Sequence, residues 1–139
     1  MAVVYFDAAA LVSLCVHSPR TALARRLWVR ADALITAHVA RVQVPAALAQ
    51  ARRAALLGEA DMVAALRQWE AALAQMCVME ASPGAAERAA RLAVECDIRA
   101  DDAWHLAAAE RFNSSDMIFA VWDSRLEAAA RGRGLPVCG

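Results

Sequence analysis

Three aspartates in this 139-residue chain stand where an apolar run ends or a helix begins. Asp7 follows the apolar run 2–6, and Asp123 follows the apolar run 117–122. Asp102 lies at the start of an alanine-rich helical stretch. In an open α/β sheet, ligands bind beyond the carboxyl ends of the strands, so these three carboxylates are candidates for one site.

Carboxylates brought together repel each other, and each has a raised pKa unless a cation neutralises it. Oxygen ligands of this kind suit Mg²⁺ or Mn²⁺, hard ions that keep several waters. Such an ion can lower the pKa of a bound water and neutralise charge on a phosphodiester. The three aspartates therefore point to phosphodiester hydrolysis. The competing interpretation is that they only cap helices, because Asp is a common N-cap residue.

The side chains around Asp102 have simpler interpretations. Asp101 is interpreted as the N-cap of its helix rather than as a ligand. His105 lies one turn after Asp102 and could join a metal site, but we favour a structural histidine bonded to a neighbouring element. Trp104 and Trp122 are expected to pack in the core or at its rim.

The composition is that of a folded domain without a charge bias. With 60% hydrophobic and 22% charged residues, the chain is not disordered, and its length suggests a single domain over residues 1–139. Fifteen basic residues balance fifteen acidic ones, so net charge gives no argument for a polyanionic partner. All fifteen basic residues are Arg. Mechanisms that need a lysine, including that of a phosphoacceptor receiver domain, are therefore excluded.

The cysteine pattern and the hydropathy of the chain indicate where in the cell the protein is expected. The four cysteines are scattered without a C-x-x-C pair, so they form neither a zinc site nor a disulfide framework and are predicted to be small buried hydrophobes. The apolar N-terminus lacks a basic leader and carries Asp7, which is not typical of a signal peptide. No apolar stretch approaches the roughly 20 residues needed to span a bilayer. We expect a cytoplasmic protein with no membrane partner.

Apolar runs and helical periodicity alternate along the chain. Strands are predicted at 2–6, 32–36, 76–79 and 117–122, with a small edge strand at 135–138. Helices are predicted at 8–16, 21–29, 38–57, 60–75, 82–95, 103–112 and 124–131. Pro45 implies that the third helix either starts near Gln43 or is kinked. Because helices separate the strands, the pattern predicts parallel strands in a doubly wound α/β sandwich.

Three segments resemble the PIN-domain family and, within it, the VapC-type toxins of bacterial toxin–antitoxin pairs. Residues 4–12 (VYFDAAALV) are similar to the family's opening strand and Asp. Residues 99–107 (RADDAWHLA) are close to its Arg-x-x-Asp-Ala-x-His-Leu-Ala motif, and residues 121–126 (VWDSRL) resemble its last motif. The resemblance covers essentially the whole chain. It implies one PIN-like three-layer α/β/α sandwich around a mostly parallel sheet of four to five strands.

The resemblance also implies a function. Proteins of this kind are Mg²⁺- or Mn²⁺-dependent endoribonucleases, often homodimers, that a small antitoxin protein neutralises. Asp7, Asp102 and Asp123 would then be three of the family's four metal-site acids, and RNA would be the substrate.

The second motif departs from the family pattern. The family usually has Glu in this motif, whereas residues 42–48 here are VQVPAAL, which places Gln43 at that position. An amide can accept a hydrogen bond but carries no charge and cannot act as a base. Ala9 and Val121 replace hydroxyl residues that would orient ligands.

Two functional hypotheses follow from these departures. In the first, the protein is an active metal-dependent endoribonuclease in which Gln43 fills the fourth position beside the three aspartates. In the second, it is a catalytically impaired PIN-fold protein that binds RNA, an antitoxin partner or both.

Overall fold

The computed structural model describes residues 1–112 and 115–139. Five strands form one sheet: β1 Val3–Phe6, β2 Ala33–Ala37, β3 Cys77–Met79, β4 Met117–Ala120 and β5 Val137–Cys138. In the same residues there are seven helices: α1 Ala8–Cys15, α2 Thr21–Arg30, α3 Ala40–Arg53, α4 Glu59–Leu73, α5 Pro83–Cys96, α6 Ala100–Arg111 and α7 Ser124–Gly132.

The sheet has the strand order β3-β2-β1-β4-β5, which places β1 at its centre. All four strand pairs are parallel. In the central pair, Phe6 of β1 lies opposite Ala120 of β4, so these two strands end at the same level. The predicted three-layer sandwich is confirmed, with a sheet that is entirely parallel in the described part of the chain.

Side chains of β1 alternate between two hydrophobic cores, one on each face of the sheet. Val3 and Tyr5 belong to the core that also contains Leu106 of α6. Val4 and Phe6 belong to the core that contains Trp69 of α4. Burial on both faces explains why this strand is a continuous apolar run rather than an alternating one.

Two helix starts differ from the sequence prediction. Helix α6 begins at Ala100 with Arg99 in the N-cap position, so the prediction that Asp101 is the N-cap is wrong. Asp101 and Asp102 instead occupy the first turn, where acidic side chains interact favourably with the helix dipole. Helix α3 begins at Ala40 and continues through Pro45, so it does not start near Gln43.

The cysteines are free, as expected, but their predicted burial is wrong. Cys15, Cys96 and Cys138 are only partly buried, and Cys77 is exposed. Cys77 opens β3, which lies at the edge of the sheet, and there a side chain has neighbours on fewer sides. None of the helices in the described ranges is long and apolar enough to cross a membrane.

A pair of leucine substitutions tests this assignment of the core. Leu106 is fully buried, whereas Leu56, after α3, is 80% exposed. We expect Leu106→Ala to lower the free energy of unfolding by about 2–5 kcal/mol, since it leaves a cavity. The matched change Leu56→Ala should stay within about 0.5 kcal/mol. Urea unfolding measures both, and equal effects would contradict the packing described above.

Candidate active site

The carboxyl ends of β1 and β4 bring two of the three aspartates together. Asp7 directly follows β1 and Asp123 lies three residues after β4, and the two strands are neighbours in register. The first turn of α6 supplies Asp102, and α3 supplies Gln43. All four residues predicted from the sequence line one cavity of about 440 Å³. Arg99 and Asp101 line it as well.

Asp7 is the most deeply buried acid of the cavity, with 2% of its surface exposed. One carboxylate oxygen accepts a hydrogen bond from the backbone N–H of Ala10 at 2.7 Å, which caps α1. The other accepts from the backbone N–H groups of Trp122 and Asp123, at 3.0 and 3.3 Å. Burial raises the pKa of Asp7 to about 6, although these three N–H groups favour the charged form.

Asp123 combines a structural and a cavity-facing role. Its Oδ1 accepts from the backbone N–H groups of Arg125 and Leu126, at 3.1 and 2.9 Å, and so caps α7. Its Oδ2 lies 3.2 Å from an Nη atom of Arg99. The capping interpretation of Asp7 and Asp123 is therefore correct, but capping does not remove either residue from the cavity.

The Arg99 guanidinium joins the acids of the cavity. Its Nε donates to Oδ2 of Asp102 at 3.1 Å and an Nη atom donates to Asp123, while Asp101 lies 3.8 Å away. Burial raises the pKa of Asp102, the hydrogen bond from Arg99 opposes this, and the charges of Asp123 and Asp101 add to the rise. Arg99 itself stays 61% exposed, so its side chain has room to move.

Gln43 lies in a chain of hydrogen bonds that reaches into the core. Its Oε1 is 2.7 Å from His105 Nε2, and its Nε2 donates to Asp101 Oδ2 at 2.7 Å. The other ring nitrogen of His105 is 2.8 Å from the hydroxyl of Tyr5 on β1. Burial lowers the pKa of His105 to about 4, so the imidazole is neutral at physiological pH. The structural interpretation of His105, bonded to neighbouring elements, is confirmed.

The two tryptophans pack at the rim of the core, as expected. The Trp122 indole N–H donates to Ser13 at 3.0 Å, and the Arg20 guanidinium lies 5.1 Å from the centre of its ring. Trp104 packs edge-on against His38, with ring centres 4.6 Å apart.

Arg99 lines the cavity although no role was predicted for it, and the N-cap role predicted for Asp101 is wrong. Both are visible in the sequence as neighbours of Asp102, since Arg99 is separated from it by one helical turn and Asp101 precedes it directly. Assigning them to the cavity requires the correct start of α6, because a shift of the helix start changes which side chains face inward.

The donor atoms of the cavity suit a hard divalent cation in kind, because they are carboxylate and amide oxygens. As they stand, no three Asp, Glu, His or Cys side chains of the described ranges converge to hold one ion. The contacts explain this: Arg99 bridges Asp102 and Asp123, and the oxygens of Asp7 accept from backbone N–H groups. By the type of their donor atoms these residues fit Mg²⁺ or Mn²⁺, and the positive charge that now lies beside Asp102 and Asp123 is that of Arg99.

Comparison with known proteins identifies the family, since residues 4–131 match the sequence profile of the PIN domain. The chain belongs to the PIN-domain family. This PIN domain is 36% identical over 137 residues to Ribonuclease VapC45 of Mycobacterium tuberculosis, a match that covers 99% of this chain and 95% of the relative. The resemblance of its motifs to the family and to VapC-type proteins is confirmed.

Solved structures share the fold of this PIN domain. Mycobacterium tuberculosis VapC20, a sarcin–ricin loop cleaving toxin, aligns with a TM-score of 0.71 at 17% identity, over 91% of this chain and 94% of that one. A toxin–antitoxin complex from Klebsiella pneumoniae aligns with a TM-score of 0.66 at 20% identity, over 100% and 97% of the two chains.

The raised pKa of Asp7 predicts a pH dependence of stability in protein treated with EDTA. The pKa rises from 3.8 to about 6 on folding, so the folded state binds the proton more tightly. This stabilisation is complete below pH 3.8 and is lost as the pH rises through about 6. We expect the free energy of unfolding of the unsubstituted protein, minus that of Asp7→Asn, to fall by about 2 kcal/mol between pH 4 and 7.

Urea unfolding of both proteins across this pH range measures that difference. The Asn side chain does not titrate, so the comparison removes the contribution of the other groups. A difference that stays constant or grows with pH would contradict the assignment.

Proposed function

We propose that this PIN domain is a divalent-metal-dependent endoribonuclease of the VapC type that hydrolyses RNA phosphodiester bonds. The observation that carries the proposal is the meeting of Asp7, Asp102 and Asp123 in one cavity at the carboxyl edge of a parallel sheet. The three residues come from segments far apart in the sequence, so their meeting reflects the fold and not local chain geometry. The 36% identity to a protein named as a ribonuclease supports the same activity.

In this proposal, the carboxylates of Asp7, Asp102 and Asp123 hold Mg²⁺ or Mn²⁺. The bound ion supplies a Lewis acid that activates water and neutralises charge on the phosphodiester. The backbone N–H groups that donate to Asp7 already hold its carboxylate in one position. Binding of an ion therefore costs little further side-chain entropy at this residue. Gln43 carries no charge and takes no part in proton transfer.

Arginines at the cavity supply contacts for the RNA backbone. Arg99 and Arg53 both line the cavity, although the chain as a whole has no net charge. Guanidinium groups form paired hydrogen bonds with phosphate oxygens. When Arg99 leaves Asp102 and Asp123, its exposed side chain can bind the phosphate beside the cleaved bond.

A second candidate function is a PIN-fold protein that binds RNA or an antitoxin and cleaves poorly. The observation that favours it is the state of Gln43, whose amide oxygen and nitrogen are both within hydrogen-bonding distance of protein partners. The protein thus occupies both polar atoms of the amide, and position 43, being Gln, contributes no negative charge to the cavity.

Cleavage of structured RNAs with Mn²⁺ and with EDTA separates the two functions. We expect the unsubstituted protein to cut only with Mn²⁺, and Asp7→Asn to lose at least about 100-fold in rate, because even residues that only orient ligands are worth about 10- to 100-fold. The control is Asp61→Asn, which removes an exposed carboxylate on α4 and should leave the rate unchanged.

The variant Gln43→Glu completes the comparison. Cleavage by Gln43→Glu alone would show that the amide switches off an otherwise sound site. If neither the unsubstituted protein nor this variant cuts, the binding function replaces the nuclease.

We also propose that the protein forms a homodimer and binds a cognate antitoxin. The Klebsiella pneumoniae toxin–antitoxin complex of the same fold supports the partner. An apolar groove of about 270 Å³ beside α2 and α4, lined in part by Leu14 and Trp28, offers surface for such contacts. We expect co-purification with the product of the adjacent reading frame and a dimeric mass by sedimentation. A monomer that captures no such product would remove both assignments.

A further inference from the structure

The contact between Gln43 and Asp101 determines where negative charge lies in the cavity. Gln43 Nε2 donates to Asp101 Oδ2 at 2.7 Å, and Asp101 Oδ1 accepts from the backbone N–H of Asp102 at 3.0 Å. Both oxygens of Asp101 are therefore held by donors, and the carboxylate cannot turn freely. Asp101 lines the cavity together with the three aspartates that were predicted from the sequence.

The hydrogen-bond chain behind this contact has one consistent direction. An ionised Asp101 only accepts, so the Gln43 NH₂ group must face it and the Gln43 carbonyl oxygen must face His105. His105 then donates through Nε2, and its Nδ1 accepts from the Tyr5 hydroxyl. The reverse orientation of the amide would bring the Gln43 carbonyl oxygen against the Asp101 carboxylate, two acceptors 2.7 Å apart. The Asp101 carboxylate thus fixes the side of Gln43 that meets it, and the neutral His105 takes the tautomer that donates through Nε2.

A carboxylate at position 43 is incompatible with this arrangement. In the conformation of Gln43, a Glu side chain would place an oxygen 2.7 Å from Asp101 Oδ2, with no proton between them. Like charges at this distance in a half-buried cavity repel strongly. Positions 43 and 101 can therefore share one negative charge but cannot both carry one without a cation. In this chain the charge is at position 101.

We propose that Asp101 supplies the fourth carboxylate of the site and that Gln43 is the residue that positions it. The acid that the family usually carries on α3 is an amide in this chain, Gln43, and the corresponding acid, Asp101, is on α6 instead. This inference rests on the proposed metal-dependent function and gives the unusual Gln43 a role within it.

A double variant that moves the acid back to position 43 and the amide to position 101 tests this proposal directly. In the double variant Gln43→Glu/Asp101→Asn, the amide of position 101 can donate to the carboxylate of position 43, and His105 can still donate to that carboxylate. The charge and the hydrogen bonds of the cavity are conserved while the acid moves to α3. In the single variant Asp101→Asn, the Asn oxygen accepts from the backbone N–H of Asp102, and its NH₂ group faces Gln43. The contact is kept when the Gln43 amide turns over, so that its oxygen accepts from the new amide and its NH₂ group donates to the neutral His105. The negative charge is lost.

The first measurement is the Mn²⁺ concentration that gives half of the metal-dependent rise in Tm. We expect Asp101→Asn to raise this concentration about 10-fold or more, and the double variant to return it to within about threefold of the unsubstituted protein. Asp61→Asn, the exposed acid on α4, is the matched control and should change nothing. An unchanged Mn²⁺ response in Asp101→Asn, or no recovery in the double variant, would overturn the inference.

The second measurement is Tm in EDTA, which does not depend on activity. We expect Gln43→Glu to lower Tm by about 4 °C, because two carboxylates then meet, and the double variant to recover it. If Gln43→Glu keeps its Tm, the two positions do not share one charge and the inference fails.

The two proposals fail in different ways. If the unsubstituted protein shows no Mn²⁺ response and cuts no RNA, the proposed function fails. If it responds and cuts, and Asp7→Asn does not, while Asp101→Asn behaves as the unsubstituted protein does, only the role of Asp101 fails.

Discussion

The burial of carboxylates close to one another is the constraint on which the site depends. Four aspartates line the cavity, and burial raises the pKa of the most buried one, Asp7, to about 6. The fold offsets the cost of these charges in three ways that are visible in its contacts. Backbone N–H groups bond to Asp7 and Asp123, the Arg99 guanidinium bonds to Asp102 and Asp123, and position 43 holds an amide in place of a further charge.

The sheet makes the first of these solutions possible. Because β1 and β4 are parallel neighbours in register, Asp7 and Asp123 stand side by side, each followed at once by a helix. The N-termini of α1 and α7 then present unpaired N–H groups and the positive ends of their dipoles to the carboxylates. The same geometry lets Asp7 accept from the backbone of the segment that carries Asp123. The acids are thus supported by the backbone, which few substitutions can change.

The fold and the acids at the sheet edge could be predicted from sequence because they depend on strong local patterns, whereas Gln43 was found only through the resemblance to the PIN-domain family. The apolar run before Asp7 and the run before Asp123 each define a buried strand, and the acid after each strand locates the sheet edge. Arg99 and Asp101 could not be assigned in this way. The role of Arg99 depends on a contact with a residue 24 positions away, and that of Asp101 on a side chain of α3, 58 positions away. Such contacts are set by the docking of helices and leave no periodic pattern in the chain.

Arg99 is part of the same chain as the acids to which it bonds, and this affects how readily a cation from solution can bind them. A guanidinium that is part of the chain competes for Asp102 and Asp123 at an effective concentration that dilution cannot lower. In the proposed function, a cation from solution would have to displace this internal competitor, which would raise the apparent dissociation constant of the ion by a factor that does not depend on protein concentration. The length and mobility of one side chain would then set how much free ion is needed to load the cavity.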